Sequence, residues 1–193
     1  ALRNGMNLSR LFGQLKDIRQ RVRIPLILMG YLNPILQYGT EAFFKKCQET
    51  GIDGVILPDL PLQEYINKVK TVAEACGVKV ILLITPETSD ERIREIDRQT
   101  DGFIYMVSSA AVTGARKDFD EAQQAYFRRI DRMGLKNPRI IGFGISNRQT
   151  FETAVRHAAG CIIGSRFVNL LTQEHGDAGR AIGRLLDDLR EEE

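Results

Sequence analysis

The chain has no tryptophan, two histidines, three cysteines and six prolines in 193 residues. Histidine is confined to His157 and His175, which excludes a His-rich metal centre. Cys47, Cys76 and Cys161 are odd in number, widely spaced and set among apolar neighbours. That pattern excludes a disulfide framework and a zinc site, and predicts reduced thiols of a cytoplasmic protein. Neither charge sign dominates, with 27 basic against 25 acidic side chains and a net charge of +2. A nucleic-acid partner, which selects for a basic stripe, is therefore not expected. No apolar run approaches the ~18 residues of a membrane span, and no signal-peptide pattern opens the chain, so no membrane partner is expected either. Low-complexity stretches are missing apart from the acidic tip 191–193, which reads as a solvated tail. What remains is an ordinary globular composition, 43% hydrophobic and 27% charged, of a length that suits one domain over residues 1–193.

Six short runs rich in β-branched residues punctuate the chain: Ile24–Met29, Gly54–Asp59, Val80–Thr85, Gly102–Val107, Arg139–Gly144 and Cys161–Ser165. None alternates with polar residues, so each is expected to be a strand buried on both faces, as in a parallel sheet covered by helices. Between the runs lie amphipathic stretches. Phe43, Phe44 and Cys47 make one apolar stripe, and Ile66, Val69 and Val72 make another. Asn7 is placed to cap a helix through Leu8, Leu11, Phe12, Leu15 and Ile18, while Gly51, Gly77 and Gly134 are placed as left-handed helix stops. The tags GIDGVI and QTDGFI precede two of the strands. Strand–helix alternation of this kind specifies an α/β fold with a parallel sheet.

The position of the glycines separates an open sheet from a barrel. A doubly wound sheet places its glycine-rich phosphate loop after the first strand. Here the glycine-rich turns follow the last two strands, GFGIS at 142–146 and IIGSRFV at 162–168. An eight-stranded (β/α)8 TIM barrel commonly holds phosphate there, after strands seven and eight. The expectation is a TIM barrel of which strands 3–8 are present, N-terminally incomplete, with residues 1–4 reading as the end of a helix stopped at Gly5.

Catalytic groups of such barrels sit at the C-terminal ends of strands. The first strand offers Tyr31 and Asn33, the second Asp59 between two prolines, and the fourth Tyr105 followed by the long loop VSSAAVTGARKDF at 107–119. Its small residues and Gly114 make that loop a candidate lid. The last two strands supply backbone N–H groups at Gly142, Gly144, Gly164 and Ser165, where a Cβ would block close approach of a phosphate. A helix starting near Ser165 adds its positive end. Tyr105 reads equally as a core residue, and Asp59 as a loop brace. His157 and His175 read as surface residues.

The segment GFIYMVSSAAVTGA, followed by IIGFGIS and IIGSRFV, closely resembles the tryptophan synthase α-subunit family. MGYLNPILQYG and VILPDLP resemble the same family's third and fourth strands, and the likeness runs in order across the chain. The resemblance implies a lyase of tryptophan biosynthesis. It cleaves indole-3-glycerol phosphate to indole and glyceraldehyde 3-phosphate by a retro-aldol step, without a metal or cofactor of its own. The implied partner is a β subunit that carries pyridoxal phosphate, in an α2β2 heterotetramer. Carried over by residue, the phosphate rests on Gly114, Gly144, Gly164 and Ser165, and Phe143, Leu28, Leu57 and Leu83 wall the indole ring. Tyr105 matches the tyrosine that assists catalysis, Thr113 the lid threonine, and Asn33 part of the β-subunit contact. The family's two catalytic carboxylates match no position from Ala1 onward, and Asp59 matches neither, so these residues alone are expected to be inactive. Two alternatives stay open at this point: another phosphate-binding barrel of the ribulose-phosphate epimerase or phosphoribosyl-anthranilate isomerase type, and a non-catalytic binding subunit.

Overall fold

The computed structural model describes residues 4–108 and 119–190. The chain divides into two compact units, one of residues 1–82 with 99–102, the other of residues 83–98 with 103–193.

In the first unit, helix α1 (Leu8–Leu15) starts where the Asn7 side chain accepts the Arg10 N–H. Its one buried residue, Phe12, lies with its ring 5.9 Å from Tyr38 and 5.7 Å from Phe43. Strand β1 (Ile27–Met29) leads to α2 (Leu32–Tyr38) and α3 (Thr40–Thr50). The buried face of α3 is the expected stripe of Phe43, Phe44 and Cys47, and Gly51 ends it at φ +73°. Strand β2 (Gly54–Ile56) follows, then helix α4 over 62–75, then β3 (Lys79–Ile81). The three strands form a parallel sheet in the order β1-β2-β3, with Leu28 opposite Val55 and Val55 opposite Val80.

The Arg19 guanidinium ties this unit's connections together. It donates to the Gly51 and Ile24 carbonyls and pairs with Asp53, whose carboxylate also accepts the Leu26 N–H at 2.7 Å. Asp53 thus takes the Leu26 N–H while the Leu26 carbonyl accepts the Asp53 and Gly54 N–H groups, and the strand begins at Ile27 and not at Ile24.

Two further expectations are corrected here. The buried face of α4 is Leu62, Tyr65, Val69 and Ala73, because a π turn at Tyr65–Val69 rotates the stripe away from Ile66 and Val72. Burial on both faces holds for β2 but not for β1, where Ile27 and Met29 are 39% and 56% exposed. β1 is an edge strand with no partner on its far side among the described residues.

In the second unit, β4 (Leu83–Ile84), β5 (Ile104–Val107), β6 (Arg139–Gly142) and β7 (Gly160–Ile162) form a parallel sheet in that order. The expected third strand, Val80–Thr85, is thus two short strands, β3 and β4, interrupted at Leu82. Helices α5 (Asp90–Gln99), α6 (Glu121–Asp131), α7 (Arg148–His157), α8 (Ser165–Gln173) and α9 (Ala178–Leu189) alternate with or follow these strands. Capping boxes start α6 at Asp120 and Gln123, and α7 at Asn147 and Thr150.

Phe127, Ile130 and Ile141 are wholly buried in this unit. Burial pushes the Asp97 carboxyl upward, but hydrogen bonds from the Asn137 and Lys136 N–H groups and the Asn137 amide outweigh it and hold it below the usual carboxylate range. Asp97 so fixes the chain just before β6. His157 is not a free surface residue: its Nδ1 lies 2.6 Å from Asp131 and its ring 5.8 Å from Phe127.

Candidate active site

The parallel register brings the C-terminal ends of β4 to β7 side by side. Leu83 pairs with Tyr105, Tyr105 with Ile140, and Gly142 with Ile162. Leu83, Tyr105, Phe143 and Gly144 therefore gather at one end of one sheet, and Gly164 and Ser165 follow the neighbouring strand. Of the other expected wall residues, Leu28 is half-buried in β1 and Leu57 is 3% exposed after β2, both in the first unit. Thr113 and Gly114 lie outside the described residues.

Tyr105 is 3% exposed, and its ring stacks on Phe143 at 6.0 Å and 13° between planes. A Cβ built on Gly142 would stand 2.0 to 2.4 Å from three atoms of the Tyr105 ring and hydroxyl. Gly142 is glycine because the tyrosine occupies its side-chain space, a reason the sequence reading did not find. Burial pushes the Tyr105 phenol up to about 12, so it is neutral and able to donate a hydrogen bond at physiological pH.

The same cause raises Tyr65 and Cys47 to about 12 and Cys161 to about 11. All are above their unfolded values of roughly 8.5 for thiol and 10 for phenol. An unfolded chain then loses these protons first, so their stabilisation is complete below those values and is lost as pH rises towards the folded ones. The urea midpoint is expected to be level near neutrality and to fall between about pH 9 and 12; a midpoint level throughout would contradict this burial.

Strand β6 stops at Gly142, two residues short of the expected boundary, because Phe143 and Gly144 turn to φ +69° and +79°. For Phe143 this conformation costs about 1–3 kcal/mol and persists only where the surroundings impose it. They do so through Ser108, 1% exposed, whose N–H donates to the Gly142 carbonyl at 3.1 Å and whose hydroxyl donates to the Phe143 carbonyl at 2.7 Å.

Gly164 differs from Gly144. Its φ of −106° is open to any residue, and no heavy atom of the described residues lies within 4 Å of a Cβ built on it. Neither backbone geometry nor a described neighbour requires glycine there. It is the N-cap of α8, which begins at Ser165 as expected, and no side chain among the described residues caps that end. Free N–H groups at a helix start and its positive end are the features by which proteins in general receive an anion.

Asp59 takes the bracing role. Both its carboxylate oxygens accept the Leu32 N–H, at 2.9 and 3.1 Å, which caps α2 and fixes the helix start that carries exposed Tyr31 and Asn33. Among the described residues, no group of three or more His, Cys, Asp or Glu could hold a metal ion, and no helix is long and apolar enough to cross a membrane.

A family model described as tryptophan synthase alpha chain matches residues 1–191. The tryptophan synthase alpha chain of Phocaeicola vulgatus is 64% identical over 190 residues, covering 98% of this chain and 74% of that one. That of Bacteroides thetaiotaomicron is 61% identical over 190 residues, with the same coverage. Among solved structures, one from the tryptophan synthase α2β2 complex of Pyrococcus furiosus superposes with a TM-score of 0.85 at 32% identity, over 98% of this chain and 76% of that one.

Proposed function

The chain belongs to the tryptophan synthase α-chain family, and we propose that its β6 and β7 turns hold the phosphate of indole-3-glycerol phosphate. The family is a lyase family that releases indole and glyceraldehyde 3-phosphate, needs no cofactor of its own, and passes indole to a β subunit carrying pyridoxal phosphate. Membership removes the epimerase and isomerase alternatives.

The observation that carries the proposal is the side-chain space over Gly164, unoccupied by any described residue, at an uncapped helix start, one strand from the left-handed turn at Gly144. Backbone N–H groups of Gly144, Gly164 and Ser165 are the donors, with Gly114 added from the family pattern, where Thr113 is the threonine of the candidate lid. Phe143 and Leu83 supply apolar walls for indole. Tyr105, neutral and stacked on Phe143, lies against the reacting substrate and assists as a hydrogen-bond donor. In this reading the strands are the third to eighth of a (β/α)8 barrel, with β3 and β4 together as the fifth. The exposed Ile27 and Met29 of β1 support that numbering.

The exposed Asn33, at the start of α2 held by Asp59, faces the β subunit, and the assembly is α2β2 as in the Pyrococcus complex. Three free thiols suit a reducing cytoplasm. Asp59 is engaged as a cap, and no residue here matches the two carboxylates that the family uses for proton transfer at indole C3 and at the glycerol hydroxyl. General acid–base groups typically supply ~10²–10⁴-fold each. A polypeptide of only these residues is therefore expected to release no measurable indole from indole-3-glycerol phosphate, with or without β subunit. Release at the rate of a full-length family member would overturn that assignment.

A further inference from the structure

We propose that Ser108 and Gln123 are positioning residues for the phosphate turn, a role that rests on reading Gly144 as a phosphate donor. Gln123, 7% exposed near the start of α6, spends its amide in two directions. Its Oε1 accepts the Asp120 N–H at 3.0 Å, and its Nε2 donates to the Ser108 carbonyl at 3.0 Å. One buried side chain thus joins residues on either side of 109–118, the segment that carries Thr113 and Gly114 in sequence.

Ser108 carries the connection onward. Its N–H meets the Gly142 carbonyl, its carbonyl meets Gln123, and its hydroxyl donates to the Phe143 carbonyl. Each of its polar groups is used. The last bond matters most. In a planar trans peptide the C=O and the next N–H point in opposite directions. Holding the Phe143 oxygen against Ser108 therefore fixes the Phe143–Gly144 peptide plane and aims the Gly144 N–H away from Ser108. A donor to phosphate works only when aligned, and hydrogen bonds weaken steeply as their angle closes. With φ positive at both Phe143 and Gly144, this turn needs an external hold to present its N–H in one direction.

The test uses a full-length α subunit that carries these residues together with the family's catalytic carboxylates, and two probes, glycerol 3-phosphate for the anion and indole for the apolar part, each titrated by calorimetry. Ser108→Ala is expected to weaken glycerol 3-phosphate binding roughly tenfold, the loss of about one charge-assisted hydrogen bond. Indole affinity stays within about twofold, since Phe143 keeps its stacking on Tyr105, and KM for indole-3-glycerol phosphate rises more than kcat falls. Should Ser108→Ala not fold, Gln123→Met releases the Ser108 carbonyl while keeping the hydroxyl and carries the same comparison, with a smaller loss expected.

Gly164→Val is measured alongside. If it loses glycerol 3-phosphate while Ser108→Ala and Gln123→Met bind it normally, the positioning role is overturned and the phosphate site stands. Equal weakening of both probes by Ser108→Ala would make the role purely structural and also overturn it. If Gly164→Val binds normally, the phosphate reading fails and this inference fails with it.

Discussion

Gly142→Ala should cripple the enzyme through Tyr105. The added Cβ would lie 2.0 Å from one ring carbon and 2.2 Å from the hydroxyl oxygen, distances no side-chain adjustment of a few tenths of an ångström relieves. The ring must leave its position between β5 and β6, and it takes the stacking on Phe143 with it. Overpacking of a formed core typically costs about 1–3 kcal/mol in stability. A displacement near 1 Å at a reacting site can cost about 10²-fold in rate. The expected result in a full-length, active α subunit carrying these residues is kcat/KM lowered by about 10²-fold or more, with a lower melting temperature. A double-mutant cycle with Tyr105→Ala checks the cause, because removing the ring should return most of the stability lost by Gly142→Ala. Additive losses would show that the clash is relieved elsewhere.

Gly164→Val should abolish phosphate binding with the fold intact. At φ −106° the backbone accepts valine, and nothing among the described residues lies within 4 Å of the new Cβ. The branched side chain enters the space assigned to phosphate oxygens, and the Ser165 and Gly164 N–H groups, fixed at the start of α8, cannot retreat. Glycerol 3-phosphate affinity should fall by about 10²-fold or more, the scale of losing more than one charge-assisted bond. Helix content and melting temperature should hold. Gly144→Val is expected to lose binding too, but at φ +79° it also strains the backbone, so some stability goes with it. Unchanged affinity in Gly164→Val would move the phosphate elsewhere.

Much of this was legible locally. Gly51, Gly77 and Gly134 stop helices at φ +73°, +69° and +60°, and the Asn7 cap forms, because caps and left-handed stops are set by a residue and its immediate neighbours. The six strand runs are visible as unbroken apolar stretches, and the glycines after β6 and β7 stand out in composition. Strand ends were overestimated where a non-local bond or turn intervenes: Asp53 takes the Leu26 N–H from 27 positions away, and Phe143 turns left-handed although nothing in its residue type favours it. The edge exposure of β1 was hidden because an apolar run looks the same whether one or both sides are covered. Ser108 and Gln123 left no signal, since their partners are 35 and 15 residues distant and a buried serine or glutamine has no periodicity. Gly142 was seen as one more phosphate glycine, whereas its partner is a tyrosine on the adjacent strand.

The most direct test is an amide-resolved titration of the α subunit with glycerol 3-phosphate, following each backbone N–H by NMR. If the β6 and β7 turns hold the phosphate, the amides of Gly144, Gly164 and Ser165 will shift furthest and saturate together at one affinity. Saturable binding that leaves those three amides unmoved, with the largest shifts at other strand ends, would contradict the site assigned here.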